Sequence, residues 1–242
     1  MSDSLLHAVY VGAMALGALT FALMSRRPRG VPGYEYLIAF MIPVWSGAAY
    51  LAMVFGQGKT EAYGQVAHWA RYVDWVVTTP LLLLALAFTA LHETKDKKRH
   101  VTLLVGLVAA DVFMILTGLV ADLSPYPLRY LWYALGCAAL VVILAIVWGP
   151  LRRIAEASSP ELGAVYRRVA GLLAVLWIGY PLFWILGPSG VRVIDQSTET
   201  LLFVVWPILS KVGWSLVDLA SLRTLHAPNP VTPGAGLRRV PV

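Results

Sequence analysis

Charge is what this chain of 242 residues has least of. Only 13% of its residues are Asp, Glu, Lys or Arg, against about a quarter in a soluble domain, while 59% are hydrophobic and the mean hydropathy is +0.71. That balance excludes a soluble fold and leaves an integral membrane protein. Cysteine is nearly absent as well. Cys137 alone rules out an internal disulfide and a cysteine-based metal centre, and no metal site is expected; within an apolar run it reads as a small packing residue. The N-terminal stretch lacks a basic leader and a cleavage site, so it reads as a first spanning helix and not as a removed signal.

Long apolar runs are what the chain does have. They cover roughly 4–25, 34–56, 69–91, 101–121, 128–150, 161–186 and 196–222, each near the ~20 residues that a spanning helix needs. The expectation is an all-α membrane protein, a seven-transmembrane-helix bundle forming one domain over 1–226, with 227–242 as a disordered, proline-rich cytoplasmic tail. Net charge is +6 and the pI about 9.5, but the basic residues alternate by loop. Arg26, Arg27 and Arg29, then Lys95, Lys97, Lys98 and Arg99, then Arg152, Arg153, Arg167 and Arg168, then Arg223, Arg238 and Arg239 lie on one side, against Lys59, Arg129 and Arg192 on the other. The positive-inside rule makes the first set cytoplasmic, which puts the N-terminus outside the cell and the C-terminus in the cytoplasm. The basic excess is then topology in a multi-pass protein of the cell (inner) membrane, and no nucleic-acid partner is expected.

Lys211 stands at the middle of the last run, in WPILSKVGWSLVDL. A charge at bilayer depth costs about 2.5–3.5 kcal/mol on insertion scales, so such a lysine is paired, chemically modified or both. Two readings stand side by side: a structural ion pair, and a desolvated amine available for a Schiff base with a carbonyl compound. In the third run His68, Arg71, Asp74 and Thr78 recur at spacings of three and four, which puts them on one helix face. Asp74 is a natural counterion for an amine on another helix, and Arg71, one turn away, is placed to stabilise it. Asp218 follows Lys211 by two turns, about 10 Å, so the two aspartates flank the lysine from opposite sides. Glu35 reads as a solvated interfacial charge, and Asp111 as a carboxylate hydrogen-bonded to a neighbouring helix, with a transfer role as the alternative. Trp177, Tyr180 and Trp184 share a face, and spacing leaves open whether they pack the bundle or wall a slot for a flat conjugated ligand.

The segments RYVDWVVTTPLLLL, WIGYPLFW and SKVGWSLVDL resemble the microbial rhodopsins, and PRGVPGYEYL, IPVWSGAAY, RYLWY and GPSG resemble in particular Anabaena sensory rhodopsin and the xenorhodopsins. The resemblance spans the chain apart from its tail. It implies all-trans retinal held covalently as a protonated Schiff base on Lys211, with Asp74 as counterion and Arg71 and Glu199 in the extracellular half. It further implies that Trp75, Thr78, Met114, Gly118, Tyr133, Trp177, Tyr180, Pro181, Trp184 and Pro207 surround the chromophore. Two departures from the outward-pump pattern, Ala85 at the cytoplasmic donor position and Pro207 at that of a second counterion, are shared with the Anabaena-type group. Asp218 matches the cytoplasmic proton acceptor proposed in that group. The expected function is inward proton transport; the alternative is a photochromic sensor signalling to a soluble cytoplasmic transducer. Neither is enzyme chemistry. The resemblance also implies a homo-oligomer, trimer or dimer, in the lipid bilayer.

Overall fold

The computed structural model describes residues 3–225, so the tail expected to be disordered from Ala227 lies outside the described residues. Seven helices among them are long and apolar enough to cross a membrane. Spans one to three are α1 (Asp3–Ser25), α2 (Gly33–Val54) and α3 (Trp69–Ala90). The fourth is α4 (Val101–Asp122), entered through a 3₁₀ turn at Lys97–His100. The fifth joins α5 (Leu128–Ile146) to α6 (Arg152–Ser158) through a π turn, Val147–Leu151; the sixth is α7 (Pro160–Leu186). The seventh joins α8 (Gln196–Pro207) to α9 (Trp214–Leu225) through a second π turn, Ile208–Gly213.

The apolar runs anticipated these spans to within a few residues, except that the fifth continues to Ser158 beyond Pro150. Proline lacks the N–H for a regular helical bond, and here the wider π turn absorbs the defect while Tyr166 of α7 donates to Val147 O at 2.8 Å. The all-α bundle is accompanied by a short antiparallel hairpin between the second and third spans, β1 (Thr60–Ala62) and β2 (Gln65–Ala67), joined at Tyr63 and Gly64. Both of those residues have positive φ, 50° and 78°, which is what a tight two-residue hairpin turn requires.

Large apolar side chains such as Leu16, Leu37, Val105, Val141, Val175 and Leu182 face outward, as a lipid environment demands and water would not. Each span packs on the next, and the seventh closes on α1. The span most buried is α3, which touches α2, α4, α7 and α9. Any side chain that α3 turns inward therefore meets the other helices at the centre. On the closing side Gly17 of α1 lies against the second π turn, where an added Cβ would stand 2.6 Å from Val212. The missing side chain at Gly17 leaves room for the Val212 side chain, next to Lys211, against α1.

Candidate functional site

The second π turn carries Lys211. Pro207 precedes it and cannot donate to Phe203 O four residues back; Tyr50 of α2 donates to that carbonyl instead, at 2.8 Å. Lys211 is 1% exposed, and its ammonium nitrogen pairs with Asp74, which is 0% exposed. The same nitrogen donates to Ser46 Oγ at 2.9 Å. Ser46 in turn donates to Asp74 Oδ2 at 3.0 Å, and Tyr10 OH lies 2.6 Å from Ser46 Oγ. Thr78 Oγ1 shares its one hydrogen between Asp74 O at 2.9 Å and Asp74 Oδ1 at 3.1 Å. A carboxylate accepting from an ammonium and two hydroxyls is using the acceptor capacity of its ionised form. Four helices thus converge on one buried ion pair.

Arg71, Asp74 and Thr78 are buried on one face of α3, as their spacing required, while His68, expected on the same face, stands at the N-cap position ahead of the helix and makes no side-chain cap bond. The partner of Arg71 is different from the one expected. It pairs with Glu199 of α8 at 3.6 Å, its guanidinium carbon 4.7 Å from the ring centre of Phe203, and not with Asp74. Gln196 also donates to Glu199, at 3.1 Å. His68, just outside the third span, has its pKa pushed down to about 3 by burial first and then by Arg71, His7 and Lys59.

On the far side of Lys211, Asp218 is 2% exposed and accepts from Thr89 Oγ1 of α3 at 2.8 Å. Ala85, one turn earlier on α3, leaves that stretch without a second carboxylate. Glu35 corrects the sequence reading: it is not solvated but 1% exposed, and neither oxygen has a hydrogen-bond partner in the described structure. Asp111 is tied to a neighbouring helix as anticipated, its Oδ2 2.8 Å from Thr79 Oγ1, which also lies 2.7 Å from Trp75 O.

Beside the ion pair lies an apolar cavity with about 750 Å³ of free space, its mouth included. Trp75, Met114, Gly118, Tyr133, Trp177, Tyr180, Pro181 and Trp184 all line it. Thr78, Pro207 and Lys211 do not. The cavity and the ion pair meet through chain neighbours: Trp75 follows Asp74, and Tyr180 OH lies 2.6 Å from the hydroxyl of Ser210, which precedes Lys211. The sequence reading missed Tyr72, Thr79 and Phe203 in the wall, and it gives Ser46 no role. No periodic signal marks them, because each acts across helices. The residues present fit a flat apolar aldehyde: a buried primary amine whose chain neighbours reach the wall of an aromatic slot, with a carboxylate to match the charge on nitrogen.

The family model described as bacteriorhodopsin-like protein matches residues 1–225. Archaerhodopsin-1 of Halorubrum ezzemoulense is 39% identical over 208 residues, 83% of this chain and 76% of that protein. Bacteriorhodopsin of Halobacterium salinarum is 34% identical over 229 residues, 92% of this chain and 85% of that protein. Among solved structures, the thermophilic rhodopsin from Rubrobacter xylanophilus superposes with a TM-score of 0.87 at 37% identity, covering 93% of this chain and 98% of that one. The light-driven proton pump rhodopsin of Coccomyxa subellipsoidea does so with a TM-score of 0.80 at 30% identity, covering 90% and 96%.

Proposed function

Because the chain belongs to the bacteriorhodopsin-like family, and is thus a retinal-binding, light-driven microbial rhodopsin of the membrane, we propose that it carries protons inward, in the manner of a xenorhodopsin. Lys211 would hold retinal as a Schiff base and the aromatic slot would hold its polyene, which supplies light-driven isomerisation when bound. The remaining steps belong to the chain's own residues. Asp74, fixed by Ser46 and Thr78, matches the positive charge at the Lys211 nitrogen. The proton held at that nitrogen passes to Asp218, and a replacement enters from the side of Arg71 and Glu199.

The observation that carries this reading is Asp218 itself. It is a buried carboxylate on the lysine's own helix, anchored from α3 by Thr89, on the side of Lys211 away from Asp74. A proton leaves for the acceptor it can reach. Asp74 already accepts from three donors, whereas Asp218 accepts from one. The distribution of basic loops supports a cytoplasmic position for Asp218 by the positive-inside rule, with the N-terminus extracellular. No substrate is turned over; light provides the free energy.

The test is the light-induced pH change of an unbuffered suspension of cells that express the protein with added retinal. Alkalinisation of the medium that a protonophore abolishes is the expected result, and acidification would overturn the direction. A photocycle without any pH change would favour the second reading, a photochromic sensor. What supports that reading is the surface formed by Lys95, Lys98, Arg99, Arg152, Arg153, Arg167 and Arg168, all exposed, which suits an acidic soluble transducer. A trimer or dimer in the bilayer is compatible with either.

A further inference from the structure

One further buried carboxylate, Asp122, stands beside the slot at the opposite end of the bundle from Asp218, and the proton path just described makes no use of it. Asp122 closes α4, is 8% exposed, and has both oxygens engaged. Its Oδ1 accepts from Trp184 Nε1 at 3.0 Å and from Ser189 Oγ at 2.6 Å, and its Oδ2 accepts from Tyr72 OH at 3.0 Å. Trp184 of α7 and Tyr72 of α3 both line the cavity. Trp184 stacks on Tyr133 of α5 with ring centres 4.7 Å apart and planes 13° from parallel; Tyr72 meets Trp75 edge-on at 5.0 Å.

The nearby cation does not explain Asp122. Arg129 forms no ion pair with it; the guanidinium donates to Ser124 O, Ser189 O and Gln65 Oε1, and Gln65 reaches only the backbone carbonyl of Asp122. The carboxylate is therefore matched by directed neutral donors. An indole N–H offers one hydrogen and a phenol one, so each ring is turned by where its acceptor stands. With Asp122 as the shared acceptor, the planes of two wall rings on two helices are set relative to one another. Gly118 of α4 completes the arrangement, since an added Cβ there would stand 3.2 Å from the Tyr72 ring.

We propose that Asp122 is the positioning residue of the chromophore slot: by orienting Trp184 and Tyr72 it sets the gap that receives the polyene. This rests on the reading that the slot holds retinal, and it is independent of the direction of transport. Asp122→Leu keeps similar bulk and removes every acceptor. Asp122→Asn retains an oxygen for Trp184 and Ser189 and offers Tyr72 an N–H.

The first readout needs no retinal: the ultraviolet resonance Raman band reporting the indole N–H bond in the apoprotein, assigned to Trp184 with Trp184→Phe. The second is the rate of pigment formation and the wavelength of the band on adding retinal. The Leu variant is expected to lose the bonded Trp184 signal, form pigment about tenfold more slowly because only a tenth of its slots stand in the receiving geometry, and absorb at a shifted wavelength. The Asn variant is expected to keep the bonded signal and stay near the parent. A Leu variant with parental Raman band, rate and wavelength would overturn the proposal, as would an Asn variant as impaired as Leu, since charge and not aim would then be at work.

If the Leu variant does not fold, Tyr72→Phe and Ser189→Ala decide the matter. The first frees a wall ring and should shift the absorption; the second removes a donor outside the wall and should not. Equal shifts from both would again overturn it. A parent chain that forms no pigment at all would overturn the retinal reading itself, and that is seen before any variant is made.

Discussion

Replacing Asp74 strands the charge of Lys211 where no water can reach it. The two side chains are 0% and 1% exposed, and among the described residues the only other acceptor on the ammonium is the Ser46 hydroxyl at 2.9 Å. Deleting one partner of a buried pair costs about 3–5 kcal/mol, most of it the penalty of the charge left behind. Asp74→Asn keeps the size and an amide oxygen that can still accept from the amine, so the lower figure applies. A loss of ~3 kcal/mol lowers the folded-to-unfolded ratio more than a hundredfold. Lys211→Met strands the carboxylate instead, but Ser46 and Thr78 go on donating to it, which reduces the cost to about 2 kcal/mol. The double replacement buries neither charge, and removing both members of such a pair is often neutral. The assay is unfolding of the retinal-free apoprotein in mixed micelles with increasing denaturing detergent, run on the parent, both single variants and the double. The double variant is expected within ~1 kcal/mol of the parent, against about 5 kcal/mol for the two singles added. Additive losses would mean that the two charges are not coupled, and the geometry of the ion pair would be wrong.

Asp218→Asn is expected to leave the dark pigment coloured while lowering the initial rate of light-induced alkalinisation by ~100-fold or more, the scale of a lost proton-transfer group; undiminished uptake would remove Asp218 from the path. Gly179→Ala puts a methyl 2.6–2.8 Å from the Trp206 indole, whose N–H donates to Leu176 O, and overpacking of this kind costs about 1–3 kcal/mol; unchanged thermal stability would mean that α7 and α8 have room to part. The folded pKa of His68, about 3, lies below the ordinary imidazole value of 6.5, so its contribution is complete above pH 6.5 and is lost as pH falls toward 3, at up to about 1.4 kcal/mol per pH unit. His68→Gln should therefore flatten the acid limb of the stability profile between those values, and parallel limbs in parent and variant would count against the shift. Tyr50→Phe leaves the Phe203 carbonyl without its donor and should cost about 1–3 kcal/mol, but much less in a Pro207→Ala background, where a restored N–H can take over; equal costs in both backgrounds would refute that account of the π turn.

Whatever depends on one helix was legible in the sequence. The 3.6-residue period belongs to the segment itself, so Arg71, Asp74 and Thr78 on one face of α3, and Trp177, Tyr180 and Trp184 on one face of α7, are found where spacing put them. The spans themselves were legible because lipid sets their length. Pairings between helices carry no such period. Arg71 was assigned to the aspartate one turn away, yet it faces Glu199 on α8. Glu35 was given to solvent from its place near a helix end, yet the bundle covers it. Ser46 carries no signal of its own in the sequence, although its hydroxyl joins α1, α3 and the seventh span.

The departures from regular helix fall where these cross-helix demands meet. Lys211 must reach Asp74 while its neighbour Ser210 meets Tyr180, and the same turn must admit α1 at Gly17 against Val212. A regular helix fixes successive side chains about 100° apart; a π turn, with its extra residue, relaxes that angle. Pro207 removes a donor that would favour regularity, and Tyr50 satisfies the carbonyl thereby released. The proline at the position where outward pumps are expected to carry a second counterion thus has two effects. Among the described residues it leaves Asp74 as the one carboxylate paired with the amine, and it shapes the turn on which the amine is presented.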